Sequence, residues 1–131
     1  MSTNYEVVIE PFAERHYIRV FAKKHRHHWD ITLTALIREF RSFDVILERS
    51  IAEEITDRNK DIVICKTEFK ISGTQESRHG SGNRCIVAKH KKLNKICVLL
   101  VYHKNDLGHG NETQNWKNII KENYPEYREL L

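Results

Sequence analysis

The segment Ile96-Cys97-Val98-Leu99-Leu100-Val101 contains no polar side chain. A strand turns alternate side chains to opposite faces, so an apolar run of this kind is stable only when both faces are covered. The run therefore predicts an interior strand, covered on both sides along most of its length. Every other element has to be arranged around it.

Upstream, Glu6 to Ile9 reads as a short strand around Val7, Val8 and Ile9, and Pro11 ends it and suits the first turn of a helix. From Phe12, the spacing of Ala13, Tyr17, Val20 and Phe21 predicts a helix with one apolar face. Arg15, Arg19, Lys23, Lys24 and Arg26 make its outside basic. Trp29-Asp30 reads as a joint, with Asp30 able to cap a second helix through its carboxylate. Leu33, Leu36, Ile37, Phe40, Phe43 (or Asp44), Leu47 and Ile51 continue at helical spacing, and no Gly or Pro interrupts residues 31 to 61. Ser42-Phe43-Asp44 leaves open whether this is one long helix or two short ones.

Ile62 to Ile71 then alternates as a strand. Cys65, Thr67, Phe69 and Ile71 point one way; Ile64, Lys66, Glu68 and Lys70 point the other. Residues 72 to 83, SGTQESRHGSGN, form a polar loop, and Arg84 to His90 is a second strand. Lys91 to Asn94 is a turn into the apolar strand, which starts at Lys95. Asn111 to Leu131 reads as a final helix, capped by Asn111 with Gln114 behind it, striped by Trp116, Ile119 and Ile120, and broken or bent at Pro125. The expected fold is α+β in a single domain over residues 1–131. It has an N-terminal strand, two helices, a three-stranded antiparallel meander and a C-terminal helix, with the helices on one face.

Hydrophobic residues make up 40% of the 131 positions and charged residues 31%, which excludes a disordered chain. The formal net charge of +4 suits an acidic partner such as nucleic acid, and equally a soluble protein that happens to be basic. Cys65, Cys85 and Cys97 are odd in number, lie in apolar runs and form no close metal-ligand pair. Reduced, buried thiols in a cytoplasmic protein are the expectation. The start MSTNYEVVIE has no signal-peptide pattern, and no stretch approaches the length of a membrane span.

The chemistry-bearing residues concentrate between Ile62 and Leu107. Strand alternation and short turns bring Lys66, Lys70, Arg78, His79, Arg84, Tyr102, His103 and Lys104 onto neighbouring strands and the loop between them. Cations bind phosphate, and Arg can hold two phosphate oxygens at once. Cleavage of RNA needs no metal when the ribose 2′-hydroxyl is the nucleophile. It needs a base, cations for the charged phosphorane and an acid for the leaving oxygen, roles open to Lys, Arg, His and Tyr. The bland reading of the same residues is a solvated strand face.

Three motifs give the segment a likeness. They are Lys66-Thr67-Glu68-Phe69, then Arg78-His79-Gly80-Ser81-Gly82-Asn83-Arg84, then Leu99-Leu100-Val101-Tyr102-His103-Lys104-Asn105-Asp106-Leu107 with Glu112 behind. Together they resemble the RelE/HigB superfamily of toxins from type II toxin–antitoxin systems, over roughly the C-terminal half of the chain. The resemblance implies the RelE/ParE fold and a ribosome-dependent mRNA endonuclease that inhibits translation. It implies a cognate antitoxin, the ribosome and mRNA as partners, with no membrane, no metal and no small-molecule cofactor. Carried over by position, Lys66, Arg84 and Lys104 hold or polarise the scissile phosphate, and His79 binds phosphate or takes a proton. Lys70, Arg78, Tyr102 and His103 are the further expected RNA or phosphate contacts. Glu68 departs from the family pattern, which often has Arg there, and Asn83 stands where an aromatic residue often precedes the Arg. A gyrase-inhibiting toxin of the ParE type and a non-catalytic RNA-binding module with the same fold remain alternatives.

The His25-Arg26-His27-His28 cluster lacks a Cys or carboxylate that would complete a metal set. Cations at a helix C-terminus, or an RNA contact, fit it better. Trp29 and Trp116 are expected as core or interface anchors. Tyr124 and Tyr127 are left open between packing on the sheet and packing on an antitoxin.

Overall fold

A computed structural model of the chain describes residues 4–131, so the first three residues of the N-terminal stretch read for a signal peptide lie outside it. The strands are β1 (Glu6–Ile9), β2 (Ala52–Glu54), β3 (Ile62–Phe69), β4 (Asn83–His90) and β5 (Lys95–His103). The helices are α1 (Pro11–Ala13), α2 (Arg19–His25), α3 (His27–Arg41), α4 (Phe43–Glu48) and α5 (Glu112–Asn123). A π-helical turn, Glu14–Ile18, joins α1 to α2, and a 3-10 segment, Pro125–Leu130, follows α5.

The fold is α+β, but the sheet is larger than a three-stranded meander. It has five strands in the order β1-β5-β4-β3-β2. β2 through β5 pair antiparallel in succession, while β1 pairs parallel to β5, which makes the sheet mixed. β2 falls where the sequence reads as helix. Its Ala-Glu-Glu has little strand preference, and pairing with Cys65 to Thr67 of β3 overrides that.

The helices do not share one face. Phe21, Trp29, Leu36, Phe40 and Phe43 from α2 to α4 pack on Cys65, Phe69, Val87 and Val98. Trp116, Ile120, Tyr124 and Tyr127 pack on the opposite side, on Ile64, Ile86, Leu99 and Leu100. The apolar strand is thus interior and covered on both faces, with Ile96 to Val101 all buried. Tyr124 and Tyr127 belong to the second core, and Tyr124 donates to the carbonyl of Leu99 at 2.7 Å.

Two helical boundaries differ from the periodicity. The π-helical turn shifts the phase of the first helix, so Ile18 is buried beside Ala13 and Phe21, and Val20 stands 58% exposed. The joint between the helices is Arg26, whose φ of 42° breaks the α-helix, rather than Trp29-Asp30. Asp30 consequently sits in the first turn of α3 and does not cap it. Trp29 stacks on Phe21 with ring centres 5.1 Å apart. Ser42 does break the long helical stretch, and the final helix becomes a 3-10 segment at Pro125. Among the described residues, no helix is long and apolar enough to cross a membrane. The three cysteines are buried and free.

Candidate functional site

A β-bulge decides which side chains meet. Ile86 of β4 opposes Leu100 and Val87 opposes Val98, which leaves Leu99 as the extra residue of β5. Leu99 and Leu100 both enter the second core, whereas Val98 and Val101 enter the first. An extra residue in a period-two pattern reverses the facing of everything after it. Tyr102 therefore lies on the second face; regular alternation would have put it with Val98.

The register then builds a row across three strands, Glu68 opposite Arg84 and Arg84 opposite Tyr102. Lys66 shares that face, two residues along β3. The first turn of α5 brings Glu112 over the row. Asn111 starts this helix by accepting from the Gln114 backbone N–H at 3.1 Å. Glu112 Oε2 accepts from the Tyr102 hydroxyl at 2.7 Å and from Lys66 Nζ at 3.0 Å. Burial pushes the Glu112 carboxyl up, but the Tyr102 hydroxyl, Lys66 and Arg84 outweigh it and hold the group below the usual carboxylate range. Burial, reinforced by the Glu112 carboxylate, pushes the Tyr102 phenol up, so it stays protonated and donates.

Arg84 is buried, its side chain only 4% exposed. Its guanidinium donates to the carbonyls of Asn83 at 3.1 Å and His79 at 3.3 Å, and lies 4.0 Å from Glu68 Oε2. Arg84 thus holds the loop from beneath. Ser81 Oγ ties the same loop down, lying 2.5 Å from the Phe69 carbonyl and 2.7 Å from that of Arg78, and accepting from Asn83 N at 3.0 Å. Gly82 has φ +76°, which glycine adopts without strain, and a Cβ there would lie 2.6 Å from His103 Nε2 and have to displace that ring.

His79 projects from the loop, its side chain 83% exposed, with Nδ1 at 3.0 and 3.1 Å from the two oxygens of Glu68. Arg78 makes a two-pronged pair with Glu39 of α3 at 2.8 and 3.1 Å. Lys66, Glu68, Arg78 and His79 line an open groove of about 540 Å³ together with Ser50 to Glu53. Lys70 is exposed and lines a second, smaller groove with Arg78 and Glu39. His103 accepts from Asn105 N at 3.1 Å, and exposed Lys104 donates its backbone N–H to the Gly82 carbonyl at 2.8 Å.

Lys66, Arg84 and Tyr102 therefore meet on one face, with His79 and Arg78 at its rim. His103 faces the other way, beside Val20, Phe21 and Lys24; Lys70 lines its groove against α3, and Lys104 is exposed just past β5. The carboxylates of Glu39, Glu68 and Glu112, which engage Arg78, His79 and Lys66, were not legible as partners. Glu112 was visible only as the head of a helix. Among the described residues, no three His, Cys, Asp or Glu side chains converge as a metal site. His25 instead stacks on Phe21, and His28 packs beside Gly73.

No protein-family model matches the chain, and neither does any curated protein or solved structure.

Proposed function

We propose that the chain is a toxin of the RelE/HigB type, in fold and in activity: a ribosome-dependent, metal-independent endonuclease that cuts mRNA and halts translation. It works in the cytoplasm, and a cognate antitoxin neutralises it. The observation that carries this reading is the open groove in which Lys66, Arg78 and His79 stand beside the buried Arg84. Lys66 and Arg78 are each held by a carboxylate in a partly exposed pair. Such pairs are weak, so an incoming phosphate can replace the carboxylates at small cost. Lys66 and Arg78 then bind the phosphate in the groove, and exposed Lys70 and Lys104 extend the basic surface beyond it. Arg84 and Tyr102 work from below, Arg84 by holding the His79 loop and Tyr102 by holding Glu112.

A second feature supports an RNA partner. Arg15, Arg19, Lys23, Lys24 and Arg26 are exposed, and none of them has an ion pair among the described residues. A run of unpaired cations attracts a phosphate backbone from a distance and speeds encounter.

The test is mRNA cleavage on translating ribosomes by the wild type, Lys66→Ala and Arg78→Ala. Cleavage by the wild type that both variants weaken supports the nuclease. A folded wild type that never cuts refutes it. Salt-dependent RNA binding without cutting then identifies a binding module, and inhibition of gyrase a ParE-type toxin. Arg84→Ala is a poor probe, because it also frees the loop.

A further inference from the structure

The Glu68–His79 pair has a chemical consequence. A carboxylate can only accept hydrogen bonds. With both Glu68 oxygens 3.0 to 3.1 Å from His79 Nδ1, that nitrogen carries the proton. In the neutral imidazole Nε2 then bears the lone pair, and it belongs to a ring whose side chain is 83% exposed at the groove. We propose that Glu68 is a positioning residue that fixes this tautomer, and that His79 Nε2 is the general base for RNA cleavage at the ribose 2′-hydroxyl. The inference rests on the nuclease reading and names its proton-transfer group.

The surroundings suit the assignment. The His79 backbone is held by the Arg84 guanidinium, and its loop by the buried Ser81 hydroxyl, so an exposed ring stands on a fixed base. Arg84 also lies 4.0 Å from Glu68, so the carboxylate is held between the guanidinium and the ring. Glu68 breaks the family pattern as a phosphate ligand, but it fits as the partner of a base. A carboxylate that orients a histidine in this way serves many acid–base sites.

The step balances. His79 Nε2 takes the 2′-hydroxyl proton as O2′ forms its bond to phosphorus. The bond from phosphorus to the 5′-oxygen breaks, and Lys66 and Arg78 of the groove face the charge that develops on the phosphoryl oxygens. The proton on the imidazolium returns through solvent to the leaving 5′-oxygen. The products are a 2′,3′-cyclic phosphate and a free 5′-hydroxyl. The substrate class is therefore RNA, and a 2′-deoxynucleotide at the cut position blocks the reaction.

The experiment combines cleavage on translating ribosomes with nitrogen-15 NMR of the histidines in the full chain. Expected is the Nδ1–H tautomer for neutral His79 in the wild type. Cleavage should fall about 100-fold or more in both His79→Ala and His79→Arg. It should fall about 10-fold or more in Glu68→Gln, with a redistributed His79 tautomer. His79→Arg is decisive because it keeps a phosphate-binding cation and removes the base. If the wild type cuts but His79→Arg cuts almost as well, or His79 shows the Nε2–H tautomer, the dyad is refuted and the nuclease stands. If the wild type does not cut at all, both fall together.

Discussion

Glu112→Gln isolates the charge at the centre of the site. The substitution keeps an oxygen that can accept from the Tyr102 hydroxyl, so shape and satisfaction are conserved. A hydrogen bond to a charged acceptor contributes about 1 kcal/mol more than a neutral one, and the Tyr102 bond is partly buried and short at 2.7 Å. The Lys66 pair at 3.0 Å, with its partners 17% and 28% exposed, adds about 0.5 kcal/mol. Loss of a negative charge in the first turn of α5 removes about 0.5 kcal/mol of helix-dipole stabilisation. The expected cost is about 2 kcal/mol at neutral pH, or about 6–10 °C in Tm for a domain of this size. The sign with pH follows from the depressed folded-state pKa of Glu112. Its contribution is fully present above the unfolded value of about 4.3 and is lost as pH falls through the lower folded value. Urea denaturation of both proteins at neutral pH, and at successively lower pH below about 4, reads it out. The stability difference should shrink as the wild-type carboxylate protonates. A difference below about 0.5 kcal/mol at neutral pH, or one that stays constant in acid, refutes the reasoning.

Three further tests follow from the same geometry. Lys89 is only 7% exposed and lies 3.7 Å from both Asp44 and Glu54, so Lys89→Ala removes the cation that two carboxylates share, leaving Asp44 only the Tyr5 hydroxyl among its side-chain hydrogen bonds. It should cost about 2–3 kcal/mol in urea denaturation, because the partners are partly exposed; an unchanged midpoint contradicts this. Burial pushes the Cys65 thiol up to about 12 and raises Cys85 and Cys97 as well. None of the three should react with a thiol reagent near neutral pH until denaturant is added, and rapid native labelling refutes that. Arg19→Glu with Lys23→Glu should weaken RNA binding and lower the salt slope by about 1–2, whereas an unchanged slope removes that helix from the interface.

The amino-acid sequence alone determined the interior strand at Ile96 to Val101, the boundaries of β4 within a residue, the start of β5 at Lys95, and the Asn111 cap of the last helix. These depend on local periodicity and local hydrogen bonding, which are written in consecutive residues. It also singled out Lys66, Arg84 and Tyr102 as chemistry-bearing. Only the tertiary structure decided that they share one face, since that depends on the Leu99 bulge, and a bulge has no mark in a run where every residue is apolar. The same holds for β2, an Ala-Glu-Glu made into a strand by its neighbour, and for the Arg26 joint, where no glycine announces a positive φ. The carboxylates were hidden for a related reason. Glu39, Glu68 and Glu112 sit 39, 11 and 46 residues from Arg78, His79 and Lys66, and pairings at such separations arise only when the sheet and its helices close on one another.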